Sequence, residues 1–203
     1  MVKKSTRTLV LMAVLVALML LFGFTPIGYI PLPFTSLTLM CLPVIIGTYV
    51  LGLRAGFWLS CVFVLTSIVQ LLTRPSALAL ILLDENPLLC VLVLIIPRLL
   101  IAFTAWGTMR AFGSRQRLGQ VVGSAAGSLV NTFGYVLLVL WWFEPAVAAG
   151  YGISDSAASA MIWGIVLTNG LPEAALAAIL CPVICRAVSK STPAAKAAEG
   201  GRR

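Results

Sequence analysis

The sequence predicts an all-α membrane protein with six transmembrane helices and both termini on the cytoplasmic side of the cell membrane. Three observations predict this class. The chain of 203 residues is 61% hydrophobic and only 10% charged, whereas soluble proteins carry roughly a quarter charged residues. Apolar runs near the roughly 20 residues that a helix needs to cross a bilayer recur along the chain. The basic residues are also unevenly divided between the two sides that these runs define.

Six apolar runs are the predicted membrane helices. The first is interpreted as a retained helix, because Gly-Phe-Thr-Pro follows it instead of a small-residue cleavage site. Pro26, Pro31 and Pro33 interrupt the connection to the second run, which itself contains Pro43 and Gly47. The predicted spans are Thr8 to Phe24, Leu37 to Leu53, Ala55 to Leu72, Leu88 to Phe112, Val121 to Phe143 and Ala160 to Val188.

The orientation follows from the basic residues, which favour the cytoplasmic side of a membrane. Most of the 14 basic residues precede the first run, follow the sixth, or lie in the connections between runs two and three and between runs four and five. The net charge of +8 therefore indicates topology and not binding of nucleic acid. We expect one membrane domain over residues 1–188 and a disordered, basic cytoplasmic tail over residues 189–203.

The composition also limits the chemistry. The chain has no histidine, and its five cysteines form no Cys-x-x-Cys pair, so we expect small buried thiols and neither a metal site nor a cofactor. No phosphate-binding loop of the form G-x-x-x-x-G-K-[ST] is present. ATP hydrolysis by that route would therefore have to come from partner proteins.

Polar side chains at membrane depth are the candidate binding residues, because the bilayer makes them costly to retain. Arg98 lies roughly 15 Å below the outer end of its helix at 1.5 Å per residue, Asn131 and Asn169 fall near the same depth, and Glu173 lies about a turn deeper. Asn169 and Glu173 are four residues apart and share a helix face. Arg98 and Glu173 each follow a proline, which disturbs the helix and frees a carbonyl acceptor.

Two interpretations of the charged pair stay open. Arg98 and Glu173 either neutralise one another and hold the fourth and sixth helices together, or contact a ligand directly, which we favour for Arg98. Arg74, Gln70 and Thr35 are weaker candidates for ligand contact. Arg74, at the outer end of the third helix, can equally be an anchor at the membrane interface.

Small residues at four-residue spacing predict close helix packing. Gly119, Gly123 and Gly127 on the fifth helix are expected to pack inside the bundle. Ala13 and Ala17 on the first helix, in the stretch AVLVA, suit either internal packing or contact with another subunit.

Five sequence blocks carry a resemblance to a known family. Between Gly28 and Leu180 the chain contains, in order, GYIPLPFTSLTLMCLPVIIGTYVLG, TSIVQLLTRP, IIPRLLIA, GSLVNT and NGLPEAALAAI. These blocks resemble the substrate-binding S components of energy-coupling factor (ECF) vitamin transporters, and most closely the pantothenate-type members. The resemblance implies six helices, cytoplasmic termini and an outward-facing vitamin site. It also implies that the connection around Ile30 to Thr38 helps to close this site.

The resemblance further implies partners and roles. Such a subunit captures a vitamin from outside, and uptake is driven by a transmembrane T component and two ATP-binding subunits. The Ala-x-x-x-Ala motif that docks on the T component would here be Ala13 and Ala17. Arg98 or Arg74 would receive the carboxylate of pantothenate. Asn131 and Asn169 would bind its hydroxyl and amide groups.

Alternatives to pantothenate capture remain. Cys41, Leu42 and Val130 depart from the pattern expected of pantothenate-type members, so riboflavin, cobalamin, folate or a similar vitamin is an alternative ligand. A stand-alone carrier and a small membrane enzyme, with Glu173 as base and Arg98 as anion clamp, are the alternatives of other classes. The absence of histidine disfavours the enzyme.

Overall fold

The computed structural model describes residues 2–25, 29–31, 36–113 and 115–190, which fold into a helical bundle with one short hairpin. The hairpin pairs Tyr29–Pro31 with Ser36–Thr38 in antiparallel register. A five-residue π-helical segment, Val166–Gly170, interrupts the last long helical stretch. The helices are α1 (Val2–Phe24), α2 (Cys41–Leu51), α3 (Leu53–Thr73), α4 (Ala77–Glu85), α5 (Pro87–Ala111), α6 (Gln116–Tyr151), α7 (Asp155–Ile165) and α8 (Leu171–Lys190).

Five helical stretches in the described ranges are long and apolar enough to cross a membrane. They are Thr6–Phe24, Leu53–Thr73, Pro87–Ala111, Gln116–Tyr151 and Asp155–Val188, and they confirm five of the six predicted spans as helices.

The predicted second span differs from the observed structure. Helix α2 covers only the 11 residues Cys41–Leu51, and at 1.5 Å per residue it is about 17 Å long, against a hydrocarbon core of about 30 Å. The strand Ser36–Thr38 occupies the first part of the predicted run. Hydropathy could not separate the two, because a short buried strand and a buried helix are equally apolar.

The connection between the third and fourth predicted helices contains the additional helix α4. Its first turn is capped by Ser76, whose hydroxyl accepts a hydrogen bond from the Ala79 amide at 3.2 Å. Asn86 ends α4 and caps α5, since its side-chain oxygen accepts hydrogen bonds from the amides of Leu88 and Leu89, each at 3.1 Å. Pro87 at the first position of α5 suits a helix start, where no amide donor is needed.

The two ends of the bundle are defined by contacts between helix ends. Arg7 on α1 donates from Nη2 to the carbonyl of Val188 on α8 at 3.2 Å, so the beginning of the first helix lies beside the end of the last. At the other end of α1, the Gln70 amide of α3 donates to the Gly23 carbonyl. Helices α1 and α3 therefore point the same way. We call the end that holds Arg7 and Val188 the inner end, and the opposite end the outer end.

Buried apolar residues form two clusters, which divide α3, α5 and the last helical stretch into an inner and an outer part. Around α1 and α2 the inner cluster also reaches Met40, which lies beside Gly23. The inner cluster includes Leu15, Met19, Met40, Ile45, Leu59, Phe63, Ile101, Ala105, Ala177 and Cys181. The outer cluster includes Leu71, Leu78, Leu82, Cys90, Val93, Val136, Phe143, Val147, Ile162 and Val166.

Glycines bring α6 against α5. A Cβ atom placed on Gly123 would lie 3.0 Å from the Ala105 carbonyl oxygen, and one on Gly119 would lie 3.0 Å from the Met109 carbonyl oxygen. A Cβ atom on Gly127 would likewise lie 3.3 Å from a backbone oxygen of α5. The predicted internal packing of these glycines is confirmed, because no larger side chain fits without moving a backbone.

Candidate functional site

Arg98 lies on α5 between the two clusters. Val93, earlier on the same helix, belongs to the outer cluster, and Ile101 belongs to the inner one. The Nη1 atom of Arg98 donates to the Leu94 carbonyl at 2.6 Å, and the guanidinium carbon lies 4.9 Å from the centre of the Phe63 ring on α3. The cation is thus held between α3 and α5 by a carbonyl and an aromatic face, two contacts that stabilise positive charge.

Asn169 and Glu173 lie in the corresponding layer of the last helical stretch. Val166 belongs to the outer cluster and Ala177 to the inner cluster. Asn169 is 5% exposed and Glu173 is 4% exposed. Within the part of the chain that the structure describes, the side-chain oxygen of Asn169 has no hydrogen-bond partner. Because buried polar atoms are nearly always paired, this oxygen is a candidate acceptor for a ligand.

The backbone around Asn169 is not a regular α-helix. Val166–Gly170 is π-helical, and the Leu171 amide donates to the Val166 carbonyl, five residues back. Pro172 follows directly and has no amide hydrogen to give to the preceding turn. Sequence reasoning anticipated a disturbed helix at this proline, but it missed the π segment, a feature that is frequent at functional sites.

Helix α6 makes a close contact with α5 beside Arg98 and with the π segment beside Asn169. A Cβ atom on Gly134 would lie 3.1 Å from the Cβ atom of Pro97, the residue before the half-buried Arg98. A Cβ atom on Gly170 would lie 3.0 Å from the Cγ2 atom of Thr132. Asn131 is half-buried and directly precedes Thr132. The structure therefore brings the predicted residues of α5, α6 and the π segment to one level of the bundle.

The weaker candidates lie farther toward the outer end. Gln70 is half-buried, and its amide joins α3 to the Gly23 carbonyl of α1. Arg74 is exposed at the end of α3, where its backbone amide donates to the Gln70 carbonyl at 2.8 Å. Thr35 lies outside the described residues.

Several residues of this layer were not predicted from the sequence. Phe63, under the guanidinium, was missed, and so were the buried hydroxyls of Thr66 and Ser67, which both donate to the Phe63 carbonyl at 2.8 Å. Thr132 on α6 was also missed. Its spacing of four residues from the buried Ser128 was the available signal, because it places two hydroxyls on one helix face.

The cysteines are all free, and four of the five are buried, as expected for small core residues. Cys41 lies 3.9 Å from the Ser128 hydroxyl across the contact between α2 and α6. Among the described residues, no three His, Cys, Asp or Glu side chains are grouped to hold a metal ion.

Comparisons with known proteins identify the family. The model of the family described as "ECF transporter, substrate-specific component" matches residues 7–185. The "Pantothenic acid transporter PanT" of Lactococcus lactis subsp. cremoris (strain MG1363) is 26% identical over 200 residues, which cover 93% of this chain and 97% of that protein. These relatives are membrane transport components and not enzymes. The chain therefore belongs to the family of ECF transporter substrate-specific components and is an integral membrane protein.

Proposed function

We propose that this chain captures pantothenate from outside the cell for ATP-driven uptake by an ECF module, which consists of a T component and two ATP-binding subunits. The observation that carries the proposal is the polar layer between the inner and outer clusters, with Arg98 on α5 and Asn169 on the π segment. Similarity to a protein named as a pantothenic acid transporter over 93% of the chain supports the choice of vitamin.

The side chains of this polar layer suit the chemical groups of pantothenate. Pantothenate carries a carboxylate at one end, with an amide and hydroxyls farther along. The planar guanidinium of Arg98 matches a carboxylate by paired, charge-assisted hydrogen bonds, which strengthen where water is excluded. Asn131 and Asn169 offer amide groups that can both donate to and accept from hydroxyl and amide groups.

Two alternative roles are open for Glu173, and each predicts a different experimental result. If it pairs with Arg98, Glu173→Gln lowers the melting temperature of the ligand-free protein, because a buried charge loses its partner. If it contacts the ligand, the same substitution lowers the affinity and leaves that melting temperature near the parent value. Measuring both quantities on the one variant separates the roles.

The proposed topology has six crossings and cytoplasmic termini. The contact between Arg7 and Val188 supports an even number of crossings, because it joins both ends of the chain on one side. Helix α2 supplies about 17 Å of the return crossing between α1 and α3, and the strand Ser36–Thr38 before it adds about 10 Å of extended chain. Basic residues at the inner end, such as Arg7 and Arg54, favour the cytoplasm for that end.

The docking surface for the T component is the outward face of α1. Ala13 and Ala17 are both exposed, and Val10 and Val14 beside them are 55% and 57% exposed. Only 17% of the apolar window of α1 is buried, against 28–44% for the other candidate spans. A helix this little covered by its own chain, with small residues one turn apart, suits close packing against another membrane helix.

A vitamin panel tests the proposal. Detergent-purified chain is heated with pantothenate, riboflavin, cobalamin or folate, and calorimetry follows for any vitamin that raises the melting temperature. We expect pantothenate to give the largest rise. A larger rise with another vitamin would replace pantothenate as the ligand, and no rise with any vitamin would contradict capture. Uptake by cells that lack the T and ATP-binding subunits would contradict dependence on an ECF module.

A further inference from the structure

The π segment Val166–Gly170 shifts the phase of the last helical stretch by one residue. Ala158 and Ile162 are fully buried on α7. At 3.6 residues per turn, the face of Ile162 returns after about five turns at position 180. Leu180 is 36% exposed, however, while Cys181 is fully buried. The inner half of the helix therefore buries a face that is displaced by one residue, which corresponds to one inserted residue in the π segment.

This insertion carries a cost that regular helix would avoid. A π turn forgoes α-helical hydrogen bonds, and Pro172 supplies no amide hydrogen to the turn before it. On the exposed side, the Thr168 hydroxyl donates to the Gly164 carbonyl at 3.0 Å and satisfies part of the disturbed backbone. On the buried side, Asn169 is 5% exposed, and its side-chain oxygen has no partner among the residues described.

The position of the segment is fixed by its contact with α6. A Cβ atom on Gly170 would lie 3.0 Å from Cγ2 and 3.2 Å from Cβ of Thr132. A side chain at Gly170 therefore requires Thr132 or the π segment to shift by a few tenths of an ångström, and Asn169, its neighbour in sequence, moves with the segment.

We propose that the π segment is a specificity element of the binding site. It presents the side-chain oxygen of Asn169 as a buried acceptor that selects ligands with a hydroxyl or amide N–H, and Gly170 against Thr132 is the positioning contact. With the cation of Arg98 on α5 in the same polar layer, the ligand class is an anion that carries hydrogen-bond donors at the end remote from its carboxylate. This inference rests on the proposed function and specifies which part of the ligand the π segment contacts.

Deletion of Leu167 tests the role of the π geometry. Leu167 is 67% exposed, and its removal brings Cys181 to the position where a regular helix buries it, so both halves keep their buried faces. We expect a melting temperature near the parent value without ligand, but an affinity for pantothenate lower by about tenfold or more, since small displacements of a binding group are costly. The substitution Leu167→Ala, which alters the same surface at constant length, should change neither quantity.

A second deletion shows whether tolerance of a deletion is special to the π segment. Ile179 is 64% exposed on regular helix. Its deletion turns the rest of α8 away from the inner cluster, and it should lower the melting temperature strongly. An equal loss of stability in the two deletion variants would contradict the assignment of an inserted residue.

Selectivity for ligands that carry hydrogen-bond donors distinguishes the two roles of Asn169, because a purely structural role would not affect it. In the parent, an analogue of pantothenate without its hydroxyls should bind about tenfold or more weakly than pantothenate, since a polar site rejects a ligand that leaves it unpaired. Asn169→Ala should bring the two affinities close together. If the analogue and pantothenate are discriminated equally well by the parent and this variant, the acceptor role is wrong.

If the Leu167 deletion variant does not fold, the affinity of Gly170→Ala for pantothenate tests the inference instead. We expect this substitution to weaken pantothenate binding, and Thr132→Ala in the same chain should restore part of the loss, because it removes the nearest contacting carbon. Failure of the parent to bind any vitamin would defeat the proposed function itself. Parent-like affinity in the Leu167 deletion variant, or in Gly170→Ala where the deletion variant does not fold, would defeat only this inference.

Discussion

The inner and outer halves of the bundle are packed in different ways. In the inner half, Gly56 and Gly123 lie against groups that cannot easily move: a Cβ atom on Gly56 would lie 3.0 Å from the Cβ atom of Thr48, and one on Gly123 would lie 3.0 Å from a backbone oxygen. Gly47 differs, because a Cβ atom there would meet the movable end of the Leu59 side chain. In the outer half, a Cβ atom on Gly150 would meet side-chain atoms of Ile81, with 2.7 Å to Cδ1, 2.8 Å to Cγ1 and 3.1 Å to Cγ2. Relief of that contact requires one side chain to shift, and no backbone atom is among these neighbours.

The difference bears on the polar layer between the two clusters. On its inner side, Gly123 and Gly127 hold α6 against backbone oxygens of α5, so this contact is the less adjustable one. On its outer side, the neighbours are large aliphatic side chains around α4 and the long outer part of α6, such as Leu78, Leu82 and Val147. Aliphatic ends can adjust by rotamer changes at modest cost. A site that is less adjustable on its inner side and more adjustable on its outer side suits a ligand that enters from the outer end.

Arg98→Ala should have the largest effect on binding. The substitution removes the cation that receives the carboxylate, and truncation of one partner of a buried, hydrogen-bonded charge pair costs about 2–5 kcal/mol. We therefore expect pantothenate affinity to fall by about 100-fold, as measured by calorimetry, in protein that still purifies as a folded species.

Arg74→Ala is the matched control for Arg98→Ala. Arg74 is an exposed cation at the outer end of α3, and its loss should change the affinity by less than about threefold, because exposed ion pairs contribute little. If Arg74→Ala removes binding and Arg98→Ala does not, the carboxylate is received at the outer rim, and the layer between the clusters is not the site.

Ala13→Trp tests whether the inner half also carries the partner surface. Helix α1 supplies Leu15 and Met19 to the inner cluster and no residue to the outer one. A large side chain at the exposed Ala13 should block approach of the T component and reduce uptake to about background, with ligand affinity unchanged. Ala175→Trp, on the exposed face of α8, should affect neither. Normal uptake with Ala13→Trp would remove the docking assignment.

A pair of glycine substitutions measures the packing difference directly. Gly56→Ala should lower the stability by about 1–3 kcal/mol, since overpacking against a fixed neighbour is costly. The fixed neighbour is Thr48, whose hydroxyl is held by a hydrogen bond to the Val44 carbonyl at 2.7 Å. Gly150→Ala in the outer half should lower it by less than about 0.5 kcal/mol, within the range of ordinary surface changes. Thermal unfolding in detergent compares the two, and equal losses would show that the halves do not differ in stiffness.

The sequence predicted the helices better than it predicted the backbone details. Long apolar runs located α1, α3, α5, α6 and the stretch from α7 to α8, because hydropathy and length suffice for elements that must cross lipid. Helix α2 was predicted too long, since an apolar pattern does not distinguish a helix from the short strand before it. The π segment was missed because it is a pattern of backbone hydrogen bonds and not of side-chain polarity.

The candidate site was predicted in part for a similar reason. Arg98, Asn131, Asn169 and Glu173 stood out because each is costly in lipid, and counting 1.5 Å per residue placed the first three near one depth and Glu173 about a turn deeper. Their neighbours were not visible in this way. Phe63 is one aromatic residue among many apolar ones, and only its position under the guanidinium distinguishes it.

Gly134→Ala should have the smallest effect and tests the boundary between the halves most finely. A Cβ atom there would lie 3.1 Å from Cβ and 3.2 Å from Cγ of Pro97, so that α5 must shift by a few tenths of an ångström beside Arg98. We expect calorimetry to show an affinity for pantothenate lower by about threefold, which corresponds to about 0.7 kcal/mol. Gly107→Ala, on α5 with no neighbour within 4 Å of the added atom, should leave the affinity unchanged. An equal effect of the two substitutions would mean that the contact between α5 and α6 does not position the arginine.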